Sequence, residues 1–484
     1  MAVHRTKASQ RNSPEVEKLV ADAISLAASG SQVEDRFWEE RLNVRLMRLL
    51  KSQNQNVIDA ALDQTFRINT VAFEVLADIA ETLAESLRIE HEGQEWDVLL
   101  LAMPIVAHTR YQIPSGPLPV NIIESTAQAL HSAIASTDTR LAIVPWLYSI
   151  DQMPHSHCQT RILTESLASA AISGKDVKLE LRDMSETIAV LADPRFIIAA
   201  LSAPAGSPIF RWQAEPPARQ ERGVSLIGWQ NAMQEPIASL LPGCEFELLL
   251  PEAYFTNCRL ADKHVRPLSI RAAVNFLEST LGILPAGLSC VVGAFGEEQA
   301  DEYRISFSAK GSSEVMYGVI WPLYDRESVA SDALNDLSDD ESPIKKICDA
   351  LHDAGVEDVF RHAMLFDPEL CDDCGAPLFP DRSGEAVRPA PGDPHDVEGI
   401  RTGGAAHRLR HRTAVAGHGS GEVARTVQVE RHGRTDRTRG VAARHAVGER
   451  AHRSGRHVAR ASGERTAYAW IRSAGVACEF RLRP

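Results

Sequence analysis

Apolar residues recur every three or four positions from Pro14 to about residue 92, the spacing that gathers side chains on one helix face. Val16, Leu19, Val20, Ala23, Ile24 and Ala27 make the first stripe. Ser13 can cap the first turn, the fixed φ of Pro14 suits its first residue, and Gly30 stops the helix. Phe37, Trp38, Leu42, Leu46, Leu49 and Leu50 predict a second helix, with all six on its core stripe. VIDAALDQTF and VAFEVLADIAETLAESL predict two more. Four helices on short connections stack as two hairpins, as in a helical-repeat array or a plain four-helix module.

At Trp96 the period changes. WDVLLLAMPIVAH and RLAIVPWLYSI are continuous apolar runs, the mark of strands buried on both faces, and a helical pattern (Val120, Ile123, Ala127, Leu130, Ile134) separates them. Strand, helix, strand at this spacing predicts a parallel crossover. PRFIIAALSA and CEFELLLPEAYF add strands, with helices expected at 158–172 and 218–240. LSCVVGAFG, DEYRISFSA and EVMYGVIWPLY follow too closely for crossover helices and predict an antiparallel meander. Asp-rich SDALNDLSDDES reads as a solvated linker, and IKKICDALHDAG as a short helix ending at Gly355. The fold class is therefore α/β, or α+β over the whole chain. It divides into a helical module (14–92), an α/β body (95–330), a helix with a cysteine motif (341–386) and a tail (387–484).

The tail breaks the chemistry of the chain. From Val387 to Pro484 there are 19 Arg, 8 His and no Lys, with Leu only at Leu409 and Leu482, and no sustained period. Its formal charge is 19 − 9 = +10, against 32 − 56 = −24 for residues 1–386. Arg without Lys, among Ala, Gly and His, fits a GC-rich reading frame entered out of phase. The acidic body argues against a general nucleic-acid surface, which needs Lys and Arg to displace counterions; only the tail, if genuine, would offer one. The longest apolar run, Val98 to Ala107, is too short to cross a bilayer, and no signal-like apolar segment follows the N-terminus. Eight scattered cysteines in such a chain suit free thiols in a reducing cytoplasm better than a disulfide framework.

Three constellations carry candidate chemistry. Cys371-Asp372-Asp373-Cys374-Gly375 is a CxxCG turn in which two thiolates can grip one cation, in the manner of a zinc-ribbon knuckle. A structural zinc needs four ligands. Cys348, His352 and His362 are the further candidates within the body, unless the partners lay past the break. Redox use is disfavoured by two Asp between the thiols. His155-Ser156-His157-Cys158 would place two imidazoles on one face of an extended strand, but with no carboxylate close behind it reads as a polar loop. Finally, PEAYFTNCRLADKHVRP gathers Glu252, Tyr254, Asn257, Cys258, Asp262, His264 and Arg266 after a strand. Cys258 could act there as nucleophile, His264 as base and Asp262 as orienting acid. A helix start with solvated charges explains the same residues. No phosphate loop, dinucleotide fingerprint, HExxH or GxSxG occurs in the body.

Several strings resemble an uncharacterised bacterial family, domain of unknown function number 2863. They include SQVEDRFWEERL (31–42), YQIPSGPL (111–118), LYSIDQMP (147–154), LLPGCEFELLLPEAYFTNCR (240–259), VRPLSIRAAVNFLE (265–278), EYRISF (302–307), YGVIWPLY (317–324) and CDDCGAPLF (371–379). The resemblance covers nearly all of residues 1–386, leaves the tail outside, and implies no activity, since none is established for the family. Two expectations follow. One is a cytoplasmic, non-catalytic regulatory protein that binds a protein partner and closes a zinc knuckle with Cys371 and Cys374. The alternative is a hydrolase-like or transferase-like enzyme working through Cys258, Asp262 and His264.

Overall fold

The computed structural model describes residues 13–389 apart from 110–111, 175–176, 178–190, 217–218, 297–298, 324–326, 328–333, 335–336, 338–341 and 372–375. Four helices come first: α1 (Pro14–Ala27), α2 (Gln32–Lys51), α3 (Gln55–Ile68) and α4 (Thr70–Glu85). Side chains of Ser13, Ser31 and Asn69 accept hydrogen bonds from the N–H groups of Val16, Glu34 and Ala72, and so cap α1, α2 and α4. Leu19, Leu42, Leu46, Ile58, Leu62 and Leu76 close their shared core. Phe37 departs from the expected stripe and is 52% exposed. Adjacent helical residues point about 100° apart, so a core passing through Leu42, Leu46 and Leu49 leaves Phe37 outside it.

The sheet starts before residue 92. β1 (Ser86–His91) turns through Glu92 and Gly93, both at positive φ, into the long β2 (Gln94–His108). β3 (Gly116–Pro117), α5 (Val120–Ala129), β4 (Arg140–Ile143), β5 (Trp146–Ser149), α6 (His157–Ser173), β6 (Ala192–Pro204), α7 (Arg222–Leu240), β7 (Glu245–Leu248) and β8 (Glu252–Ala253) complete this layer. β2 is its spine, with β6 along one edge and β1, β8 and β7 along the other. β4 and β5 lie on the far edge of β6, and β3 pairs with β5.

Every one of these pairings is antiparallel, which corrects the expected parallel crossover. β2 and β4 do run in the same direction around α5, but β6 is inserted between them and runs against both. The unit is a split βαβ, and local periodicity cannot see a strand that arrives later in the chain. The continuous apolar runs keep their meaning. Leu101, Met103 and Ile105 share a core with Trp229 and Met233 of α7, while Leu100, Ala102 and Val106 pack with Leu167 and Ala171 of α6.

Tyr254 then enters α8 (Tyr254–Leu281), where the sequence pattern had extended a strand. Its first half covers the first sheet through Ala261 and Val265. Beyond Pro267, residues Ile270, Ala273, Val274 and Leu277 cover a second sheet. There β9 (Leu288–Phe295), β10 (Glu302–Ala309) and β11 (Tyr317–Pro322) form the expected antiparallel meander. α9 (Pro343–Asp353) ends at Gly355, whose φ of +86° suits a glycine. β12 (Asp358–Phe366), which the pattern did not reveal, pairs parallel with β9. A division between 330 and 341 would therefore cut one sheet. Of the expected linker at 331–342 only Leu334, Leu337 and Ser342 are described, and Leu334 is buried, its carbonyl accepting from the Tyr303 hydroxyl. The last hairpin, β13 (Phe379–Pro380) and β14 (Ala386–Val387), lays Phe379 on the outer face of the second sheet against Val315 and Ile320.

Candidate metal centre

After β12 the chain doubles back on itself. Leu370 and Pro377 form an antiparallel bridge, the Leu378 N–H donates to the Glu369 carbonyl at 3.3 Å, and the Cys371 N–H donates to the Ala376 carbonyl at 2.7 Å. Residues 369–371 and 376–378 thus run side by side as two antiparallel stems, with Cys371 bonded to Ala376 across them. Asp372, Asp373, Cys374 and Gly375 lie outside the described residues.

One buried cation ties both stems of this hairpin to the second sheet. Arg304 on β10, 1% exposed, donates from Nη1 to the Glu369 carbonyl at 2.9 Å and to the Leu378 carbonyl at 2.6 Å. Its Nε donates to Glu302 at 2.8 Å, and the guanidinium lies over the Phe295 ring at 4.1 Å. A neighbouring hydroxyl, Ser306, donates to the Pro380 carbonyl at 2.6 Å. The adjoining turn is organised by Asp381, whose carboxylate accepts from Ser383 Oγ at 2.7 Å and from the Glu385 N–H at 2.9 Å. Partial burial would raise the Asp381 pKa, but these bonds outweigh it and hold the carboxyl below the usual range.

The further candidate ligands are dispersed. Cys348 is buried on the inner side of α9, and burial pushes its thiol up, against the thiolate a metal needs. His352 is exposed near the end of the same helix. His362 stands on β12, with Nε2 2.6 Å from the Asp381 carbonyl and its ring edge-on to Phe360 and Phe366. Among the described residues no three His, Cys, Asp or Glu side chains come together as a metal-binding group.

α8 keeps the expected catalytic trio apart. Cys258 and Asp262, four residues apart, share a face, Cys258 half-buried and Asp262 buried. His264 lies about 200° around the axis from Asp262 and meets Glu247 of β7 instead, with Nδ1 3.2 Å from Oε2. The other residues of this segment bind the layers together. Asn257, fully buried, donates to the Ala102 and Leu250 carbonyls at 2.7 and 2.8 Å. Arg259 forms a two-pronged pair with Glu81 of α4 at 2.6 and 3.0 Å, and Glu85 accepts the Phe255 N–H at 2.9 Å. Tyr254 donates to the Pro154 carbonyl at 3.1 Å, and Glu252 pairs with Arg222.

His155 and His157 do not share an extended strand, because Ser156 caps α6 and His157 is its first residue. His155 is exposed, while His157 is buried beside Phe255, with Nδ1 3.1 Å from Gln55 Nε2. Burial lowers the His157 pKa, opposed by Glu81 and Asp59, with Arg259 adding to the lowering.

Arg304 with Glu302, and its counterpart Arg195 with Asp193 on β6, were not singled out from the sequence. Arg195, fully buried, donates to Asp193 at 2.5 Å and to the carbonyls of Ile113 and Pro114 at 2.7 and 2.8 Å. The signal was an acid and an arginine two apart inside an apolar strand, which puts both on one face. The chain matches the family described as protein of unknown function (DUF2863) over residues 4–401. No curated protein and no solved structure matches it.

Proposed function

The chain belongs to the family of proteins of unknown function DUF2863, and from that footing we propose a non-catalytic, partner-binding protein whose Cys371–Cys374 turn grips a structural zinc ion. The observation that carries the proposal is the hairpin stem, in which the Cys371 N–H is bonded to the Ala376 carbonyl and both strands are fixed by Arg304. Stems held this closely and anchored to a sheet support a reading in which two cysteines three apart in sequence grip one soft cation. Cys348 is a poor third ligand, because it is buried on the inner side of α9, and His362 is already bonded to Asp381. The rest of the zinc shell would come from residues outside the described set, or from water. The non-catalytic half of the reading rests on α8, where Cys258, Asp262 and His264 are divided between helix faces and their neighbours serve packing. No helix among the described residues is long and apolar enough to cross a membrane.

The test is zinc content of the purified full chain by elemental analysis, beside a Cys371→Ser, Cys374→Ser double variant. The expected result is zinc in the parent at up to one ion per chain and its loss in the variant, with the far-UV spectrum unchanged. Equal zinc in both would mean that the motif is only a turn.

A further inference from the structure

α2 carries two apolar faces, and only one is buried. Leu42, Leu46, Leu49 and Leu50 enter the helical core. Val33 (79% exposed), Phe37 (52%) and Val44 (45%) make a second stripe on the outside. At about 100° per residue the three fall within about 40° of one another around the axis, with Glu40 between them. Phe37 is held in place rather than loose. Its ring packs edge-on to Trp38 at 4.9 Å, and the Arg41 guanidinium lies over both rings at 5.5 and 5.2 Å while pairing with Asp22 at 3.1 Å. An ordered aromatic beside two exposed valines on one helix face is a patch suited to association.

The charges along α2 select the partner. Its first half carries Glu34, Asp35, Glu39 and Glu40 against a single Arg36, and its second half carries Arg41, Arg45, Arg48 and Lys51 with no acid. Arg41 and Arg45 are paired with Asp22 and Glu15 of α1, so the exposed charges flanking the stripe are Glu34 and Glu40 in its first half and Arg48 and Lys51 in its second, and an antiparallel copy sets each half against its opposite. The same arrangement puts Phe37 of one copy on Val44 of the other, twice over, and brings residue 40 close to the two-fold axis. We propose that the chain forms a symmetric homodimer through the Val33–Phe37–Val44 face of α2. The proposal is independent of the metal reading, because α2 belongs to the N-terminal core and the cysteine hairpin to the second sheet. One helix pair buries less than a standard interface of about 1,600 Å², so association in the micromolar range is expected.

Sedimentation velocity of the full chain between about 1 and 100 µM tests this. The expected result is a monomer–dimer equilibrium that Phe37→Glu weakens at least about tenfold, with an unchanged thermal melt. A Glu40→Cys variant should also form a disulfide-linked dimer under mild oxidation, more than Glu17→Cys on the exposed face of α1, and this holds even if Phe37→Glu should misfold. A parent that stays monomeric at 100 µM would overturn the proposal. So would a dimer indifferent to Phe37→Glu, or equal cross-linking by the two cysteines.

Discussion

Arg304 shows how much one side chain decides in this protein. It neutralises Glu302 in a site where both are almost fully buried, and it supplies the donors that two hairpin carbonyls need. Replacing it with Met keeps the volume and removes the charge, leaving a buried carboxylate without its guanidinium, the Leu378 carbonyl without the Arg304 donor and the Glu369 carbonyl with the Leu378 N–H alone in its place. Arg304→Met should therefore cost about 3–5 kcal/mol in urea unfolding, and a loss under about 1 kcal/mol would show that the pair is not a keystone. His157 makes a second prediction at this scale. Burial keeps it neutral in the folded protein below the usual imidazole value of 6.5, whereas the unfolded chain takes up a proton near that value. Its contribution is complete above about pH 6.5 and is lost as pH falls through the window beneath it. His108, lowered chiefly by burial as well, steepens the same slope. Melting temperature should drop between about pH 7 and pH 5, and His157→Gln should flatten that profile. An unaltered slope in the variant would place the acid sensitivity elsewhere.

Among the elements, the hairpin and the second sheet depend on one glycine. A Cβ at Gly318 would sit 2.4 Å from the Phe379 ring, so β11 can accept the hairpin's aromatic only because no side chain stands there. Gly318→Ala should cost about 1–3 kcal/mol and release backbone amides of residues 376–387 to faster hydrogen exchange, while β2 and β6 stay protected. Protection of the hairpin unchanged by the substitution would mean that Phe379 does not dock it. Elements of this kind were legible wherever their cause is local. Ser13-Pro14, the leucine spacing of α2, the run of apolar residues in β2 and the close succession of β9, β10 and β11 all announce themselves. Strand order was not legible, because the insertion of β6 between β2 and β4 is decided by contacts between distant segments. β12 escaped for a different reason: exposed Phe360 and Met364 blur its alternation, and a shift in register between Arg361 and Leu365 interrupts it. The CxxC turn was visible as a motif, yet its anchor was not, since Arg304 acts across 65 residues of chain to reach Glu369.

On the scale of the whole molecule, the apolar cores of the described residues are built between Val16 and Val387, and the family match ends at residue 401. Cutting the chain after residue 401 should leave the thermal melt in place to within about 2 °C, because every described core residue is kept. A larger fall would assign the tail a part in the fold. The two sheets are joined by α8, whose Ala261 and Val265 pack on the first sheet, Ile270, Ala273, Val274 and Leu277 on the second, with Leu268 and Ala272 still reaching the first beyond Pro267. That frame carries the cysteine stems on the outer face of the second sheet, fixed to β10 through Arg304, which suits a structural clasp. The central claim is that Cys371 and Cys374 together hold one metal ion. Cobalt(II) added to the metal-free full chain reports this directly, because thiolate ligation gives an intense near-ultraviolet charge-transfer band that grows with the number of sulfurs bound. The account predicts a band of two-thiolate strength, saturating at one cobalt per chain, halved by Cys371→Ser and abolished by Cys371→Ser with Cys374→Ser. A parent protein without the band, or a double variant that keeps it, would contradict the claim.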